Sequence, residues 1–276
     1  MRDYILMLKK CLNIILVILM PIILSSCLKT AELSKKNYSI DAITEDDRIK
    51  VDPDNPDRIA VNLDADFFDT VELGTLDGKP ITWYIIISDD EHQILMSKYI
   101  IDTKPYNEEN VKVEWSDSTL YDYLNSDFFN ECFNKEEQEK ILFINEEDDA
   151  RVTMPSLNNL IDLYGEIFYM PNSYYGDPNS FDCNPLIIAK PTARATYNEI
   201  EVFDNETFAE IMQTDLDSRY NFANGAATYW VLDTDEESND AYYVSATGFI
   251  NHLPPNTMYI GFRPIIRIKS EDSLDN

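Results

Sequence analysis

The sequence predicts a single α+β domain, with strands at both ends and helices in the middle, behind an export signal and a polar tether. Three observations predict it. Short β-branched and aromatic runs cluster at 67–97 and again at 228–268. Capped segments with apolar residues at helical spacing lie between them, at 116–163. Before 59 the chain has an apolar leader and then a charged stretch without periodicity. Strands that come in two blocks, rather than alternating with helices, favour a segregated α+β layout over a parallel α/β sheet.

The elements follow in order. Phe67–Leu73 (FFDTVEL) reads as the first strand, and Asp77-Gly78 as a hairpin turn. Ile81–Ser88 (ITWYIIIS) reads as a buried strand and His92–Ser97 (HQILMS) as the next. Ser116-Asp117 is read as the cap of a helix over Ser118–Asn125. Phe128, Phe129, Cys132 and Phe133 recur at helical spacing, and Lys135–Ile141 forms a third short helix. Val152–Met154 is a short strand, after which Ser156 caps a helix over Leu157–Leu163 that Gly165 ends. Glu166–Asn184 reads as an irregular surface loop. The chain closes with strands at Thr228–Leu232, Tyr242–Ala246 and Tyr259–Ile268. One sheet is expected to join the first and last strands.

The leader sets the address. Arg2, Lys9 and Lys10 precede an apolar run from Cys11 to Leu24, and Leu24-Ser25-Ser26-Cys27 follows. A spanning helix needs roughly 20 apolar residues, more than this run supplies. The pattern resembles the lipobox of bacterial lipoproteins. That resemblance implies residues 1–26 as a signal peptide, Cys27 as the lipidated (palmitate-bearing) mature N-terminus, and a membrane anchor on the extracytoplasmic face. An ordinary secretory signal is the alternative. Residues 27–58 then form the lipidated N-terminus and flexible tether, with an end-to-end distance of roughly 30 Å. The extracellular domain occupies 59–276.

Composition excludes one class of partner. Loss of residues 1–26 leaves 19 basic and 50 acidic side chains, a net charge of −31. Such a field repels nucleic acid. Disorder does not follow, because 44% of residues are hydrophobic, with 17 Tyr and 13 Phe available for a core. Cys132 and Cys183 remain in the mature domain, either as a disulfide or as two separate buried thiols.

An ordered series of motifs spans about residues 65 to 269: Pro80-Ile81-Thr82-Trp83, Leu95-Met96-Ser97, Trp115 to Asn125 (WSDSTLYDYLN), Tyr229-Trp230-Val231-Leu232 and Gly261-Phe262-Arg263-Pro264. It resembles a domain of unknown function found in secreted and surface proteins of Gram-positive bacteria, especially clostridia. The Gly-Phe-Arg step also looks like C-type-lectin-like folds, including formylglycine-generating enzymes, and that resemblance implies a lectin-like domain. The cysteine pair that formylglycine generation needs has no counterpart, so its activity is not implied.

Chemistry-bearing motifs are few. His92 and His252 lie too far apart for a zinc-binding pair motif, and no nucleophile elbow, Walker or Rossmann glycine pattern occurs. The acidic runs Asp52–Asp57 and Asp233–Glu237 lack the glycine of a calcium loop. No catalytic residue, metal or cofactor is therefore assigned. Trp83, Trp115 and Trp230 are read as core anchors. Arg263 is expected to pair with a buried carboxylate, an Asp or Glu from an early segment, or with backbone carbonyls. Tyr174 and Tyr175 are the candidate binding residues, with loop packing as the alternative. The expected function is a non-enzymatic surface module that binds a glycan, peptide or protein. Its alternatives are a cell-envelope hydrolase using a carboxylate pair and a solute-binding lipoprotein.

Overall fold

The computed structural model describes residues 49–52, 55–144, 149–165, 167–169, 184, 186–204 and 223–270. They form an α+β domain with two mostly antiparallel sheets. A separate hairpin comes first, β1 (Ile49–Asp52) paired with β2 (Asn55–Val61). It occupies the last part of the segment read as tether and runs past Ile59. Among the described residues no helix is long and apolar enough to cross a membrane.

The first large sheet begins with β3 (Thr70–Leu76), β4 (Lys79–Ser88) and β5 (His92–Ser97). Asp77 and Gly78 have φ of 51° and 74°, and Leu76 pairs with Lys79. Two left-handed residues closing a two-residue loop match the right-handed twist of the flanking strands. Period-two alternation sends Ile81 and Trp83 into one core and Tyr84 and Ile86 into another. Both faces are covered, which is why this strand reads as a continuous apolar run.

After β6 (Asp102–Thr103) the chain turns helical. Trp115–Asp117 is a 3₁₀ turn, and Ser118, not Ser116 or Asp117, caps α1 (Thr119–Tyr123) by accepting the Tyr121 N–H. A π turn, Leu124–Phe128, leads directly into α2 (Phe129–Cys132). Asn134 and Glu137 close a capping box on α3 (Lys135–Lys140), whose end feeds β7 (Ile141–Leu142). Next come β8 (Val152–Thr153) and α4 (Leu157–Tyr164), which Ser156 caps and Gly165, at φ 88°, ends. β9 (Phe168–Tyr169) and α5 (Ala193–Tyr197) precede the final block. That block holds β10 (Tyr229–Thr234), β11 (Ala241–Val244), β12 (Phe249–Leu253), β13 (Gly261–Phe262) and β14 (Ile265–Lys269).

The closing segment is not one strand. β13 belongs to the sheet ordered β6-β13-β10-β11-β12-β9. β14 belongs to the sheet ordered β3-β4-β5-β14-β7, with β8 also on β14. Arg263-Pro264 is the step between them. Pro264 therefore sits at a break in the ladder, where its missing N–H costs nothing. A Cβ on Gly261 would lie 2.1 Å from the Ile100 Cγ2, so only glycine lets β13 pass there.

The expectation of a carboxylate partner for Arg263 is corrected. Its Nε donates to the Ser97 carbonyl at 2.7 Å, and its guanidinium lies 5.9 Å and 5.7 Å from the Tyr84 and Tyr229 ring centres. Ser97 is in the early sheet, but it offers a carbonyl rather than an acid. Trp83 and Trp230 are fully buried core anchors, and each indole N–H reaches a carbonyl, Leu73 and Lys104 respectively. Trp115 packs on that core only partly buried.

Candidate functional site

Cys27, Tyr174, Tyr175 and Cys183 lie outside the described residues. The strongest constellation within them forms where three segments converge on α5. Thr192 caps that short helix by accepting the Ala195 N–H, and Arg194, in its first turn, reaches the sheet edge. Arg194 Nε donates to Asp102 Oδ2 at 2.7 Å, and Nη1 donates to Glu131 Oε1 at 2.7 Å. Asp77 Oδ1, at the β3–β4 turn, lies 3.4 Å from the same nitrogen. One guanidinium thus ties together a hairpin tip, the edge strand β6 and the end of α2. Burial opposes its charge, yet the Glu131 and Asp102 carboxylates hold the guanidinium well above its ordinary pKa.

Asp102 is the deepest member, at 5% side-chain exposure. Its Oδ1 accepts the Thr103 N–H at 2.8 Å and the Asn198 amide at 2.6 Å, so both oxygens are occupied by protein donors. A carboxylate this enclosed fixes geometry rather than reaching a ligand.

An open cleft of about 560 Å³ lies over this network. Its far wall is the α1–α2 segment, which supplies Tyr123, Asp127, Asn130 and Glu131. The π turn widens the helix by one residue between Tyr123 and Asp127, a device that recurs at functional sites. Lys104 Nζ stands 4.1 Å from the Tyr123 ring centre, a cation held on an aromatic face. A second hollow of about 500 Å³ also has Arg194 in its wall. It is more apolar, with Pro80, Ile81, Tyr99, Pro191 and Tyr197 in its walls. Tyr197 is 87% exposed.

A second polar cluster lies on β11 and β12. His252 Nδ1 is 2.7 Å from Asp240 Oδ2, and the Tyr242 hydroxyl donates to Asp235 Oδ1 at 3.1 Å. Asp235 also accepts the Ser238 N–H, as a turn aspartate does. Asp233 accepts the Leu157 N–H at the start of α4, and burial pushes its carboxyl up. Asp233 and Asp235 thus serve the protein's own backbone and side chains. Among the described residues no group of three or more His, Cys, Asp or Glu is placed to hold a metal ion.

Sequence reasoning missed Arg194, Asp102 and Asn198, because nothing local marks them. Two signals were present. Pro191-Thr192 opens a short capped helix. An arginine between apolar and small residues is also conspicuous in a chain with only 22 basic side chains against 51 acidic ones.

Comparison with known proteins gives one similarity. A family profile described as "Domain of unknown function (DUF6273)" matches residues 90–165. This span, from β5 to the end of α4, supplies Asp102, Lys104, Tyr123, Asp127, Asn130 and Glu131, whereas Asp77, Arg194 and Asn198 fall outside it. No curated protein and no solved structure gives a match.

Proposed function

We propose that this protein is a lipid-anchored, extracytoplasmic binding module with a lectin-like domain, and that the cleft over Arg194 is where it takes its ligand. The observation that carries this reading is the cleft itself. It is open and polar, its floor is fixed by the Arg194–Asp102–Glu131 network, and its rim offers the exposed Asp127 and Asn130. Pre-set polar groups around a site of several hundred Å³ are what small-ligand recognition uses. A carboxylate-pair hydrolase needs an acid that can approach the scissile bond. Asp102 is enclosed and fully engaged and Glu131 is tied to Arg194, so the exposed Asp127 faces the cleft without a second carboxylate to pair with, which favours binding over hydrolysis.

The test uses the full chain in detergent, offered to cell-wall and surface fractions. The double variant Asp127→Ala/Asn130→Ala removes two exposed rim groups without touching the floor, so it should fold and lose retention at least about tenfold, ~1.4 kcal/mol. Retention equal to the parent's would reject the cleft as the binding site.

The anchor has its own test. Cys27→Ser should abolish incorporation of a radiolabelled fatty acid and leave the protein as uncut precursor or free in the medium. Full label on that variant would refute lipidation at Cys27.

A further inference from the structure

Arg194 belongs to the walls of both hollows, so the polar cleft and the more apolar hollow adjoin at this residue and are treated as one groove. The charge along this groove is unusual for the chain. The whole sequence carries −29, yet here Lys79, Lys104 and Arg194 face Asp77, Asp102, Asp127 and Glu131. Asp102 and Glu131 are already bonded to Arg194. The three cations already neutralise most of the four carboxylates, so a cationic ligand gains little beyond the long-range pull of the acidic surface, which salt screens. An anion meets the repulsion of that same surface. Uncharged ligands rich in hydrogen-bonding groups are the class left favoured.

The shape of the groove narrows that class. Tyr197 presents an almost fully exposed ring, and the next residue, Asn198, lies in the polar cleft. An aromatic face beside fixed amide, carboxylate and cationic groups matches the two sides of a sugar ring. Its C–H face packs on the aromatic ring and its hydroxyls bond to the polar groups. Strand addition by a peptide is poorly served here. β6 is only two residues long, and the Thr103 N–H is directed to the Asp102 carboxylate.

We infer that the groove binds an uncharged oligosaccharide, with one sugar unit stacked on Tyr197 and a neighbouring unit hydrogen-bonded in the cleft lined by Asp127, Asn130 and Asn198. This rests on the reading of the Arg194 cleft as the ligand site.

The experiment offers the full-length protein, held in a polyoxyethylene detergent that carries no sugar, to an array of neutral, acidic and amino glycans and of oligolysine and oligoglutamate peptides. The neutral glycan with the strongest signal is then titrated calorimetrically. Binding of neutral oligosaccharides is expected, with affinity almost unchanged between about 50 mM and about 500 mM NaCl. Tyr197→Ala should weaken it about tenfold, ~1.4 kcal/mol. Tyr169→Ala, which removes an exposed tyrosine elsewhere, should leave it unchanged. Because Tyr197 is exposed, its variant should melt like the parent, which separates lost stacking from lost folding. Neutral glycan binding that survives Tyr197→Ala overturns the proposal. Salt-sensitive binding of a charged glycan or peptide alone, lost in Asp127→Ala/Asn130→Ala, overturns the sugar class but keeps the cleft as a binding site. No signal on the array, together with no retention on cell-wall fractions, overturns both.

Discussion

Arg263→Ala should lower the melting temperature by about 10 °C, the equivalent of roughly 3–5 kcal/mol for emptying a large buried site. Arg263 is 2% exposed and stands at the step where the chain leaves one sheet for the other. Its Nε bond to the Ser97 carbonyl ties that step to the end of β5, while Tyr84 and Tyr229 flank the guanidinium. Alanine removes the bond, the ring contacts and the volume together. No salt bridge to Arg263 occurs among the described residues, and its Nη1 is buried with no hydrogen-bond partner. Part of the guanidinium is therefore a cost to the fold rather than a gain. This separates two variants. Arg263→Met keeps most of the volume and drops the orphaned donor, so it should recover at least half of what alanine loses. Thermal and urea melts of both variants measure the difference. Equal loss in both would assign the stability to the Nε–carbonyl bond instead of to packing.

How much of this was legible depends on where the signal lives. His92–Ser97 and the Ser156-capped helix ending at Gly165 are specified by their own residues, and the observed elements follow the expected bounds closely. The Asp77-Gly78 turn was equally local, since only a few residue types accept two successive positive φ values. The closing segment was harder. Gly261-Phe262 and Ile265–Lys269 look like one strand because both are apolar, and the change of sheet at Arg263-Pro264 is a tertiary event. The helix after Trp115 was legible, but its π turn was not, because one extra residue per turn leaves no clear mark on hydrophobic spacing. The candidate site was the least legible part. Asp77, Asp102, Glu131 and Arg194 are spread over 118 positions and meet only when α5 packs beside β6 and the hairpin tip. Among 51 acidic residues, nothing short of the fold distinguishes those three carboxylates.

Alkaline pH should unfold the domain, and the cause is the same aromatic richness that builds its core. Tyr84, Tyr106 and Tyr229 are each no more than 3% exposed. Burial pushes all three phenols up from their ordinary value of 10.0, Tyr229 to about 12 and the other two further. Burial also raises the Cys132 thiol from 9.0 to about 12. Each group's folded pKa lies above its unfolded one, so the protonated form is what the fold accepts. The sign follows. Below about pH 9 both states hold these protons and stability is insensitive to them. Above that, the unfolded chain gains free energy by releasing first the thiol proton and then the phenolic ones, while the folded chain cannot. The stability that is fully present below the unfolded pKa values is lost as pH rises toward the folded ones. At pH 12 the unfolded chain has released all three phenolic protons, whereas the fold still holds those of Tyr84 and Tyr106 and part of that of Tyr229, a cost to the fold on the order of several kcal/mol. Domain stabilities are typically about 5–15 kcal/mol. Circular dichroism should therefore show a flat plateau from neutral pH to about pH 9 and a cooperative loss of structure by about pH 12. The part of the 295 nm tyrosinate absorbance that belongs to these buried phenols should appear together with that loss of structure, as a second rise after the exposed tyrosines have titrated. Tyr106→Phe removes one such proton. The hydroxyl it deletes donates to the Leu232 carbonyl at 2.8 Å, so the variant should be less stable at pH 7 yet lose less stability between neutral and high pH. A tyrosinate signal that develops fully while the far-ultraviolet spectrum stays native would show that these phenols ionise inside the fold, and that burial does not govern them.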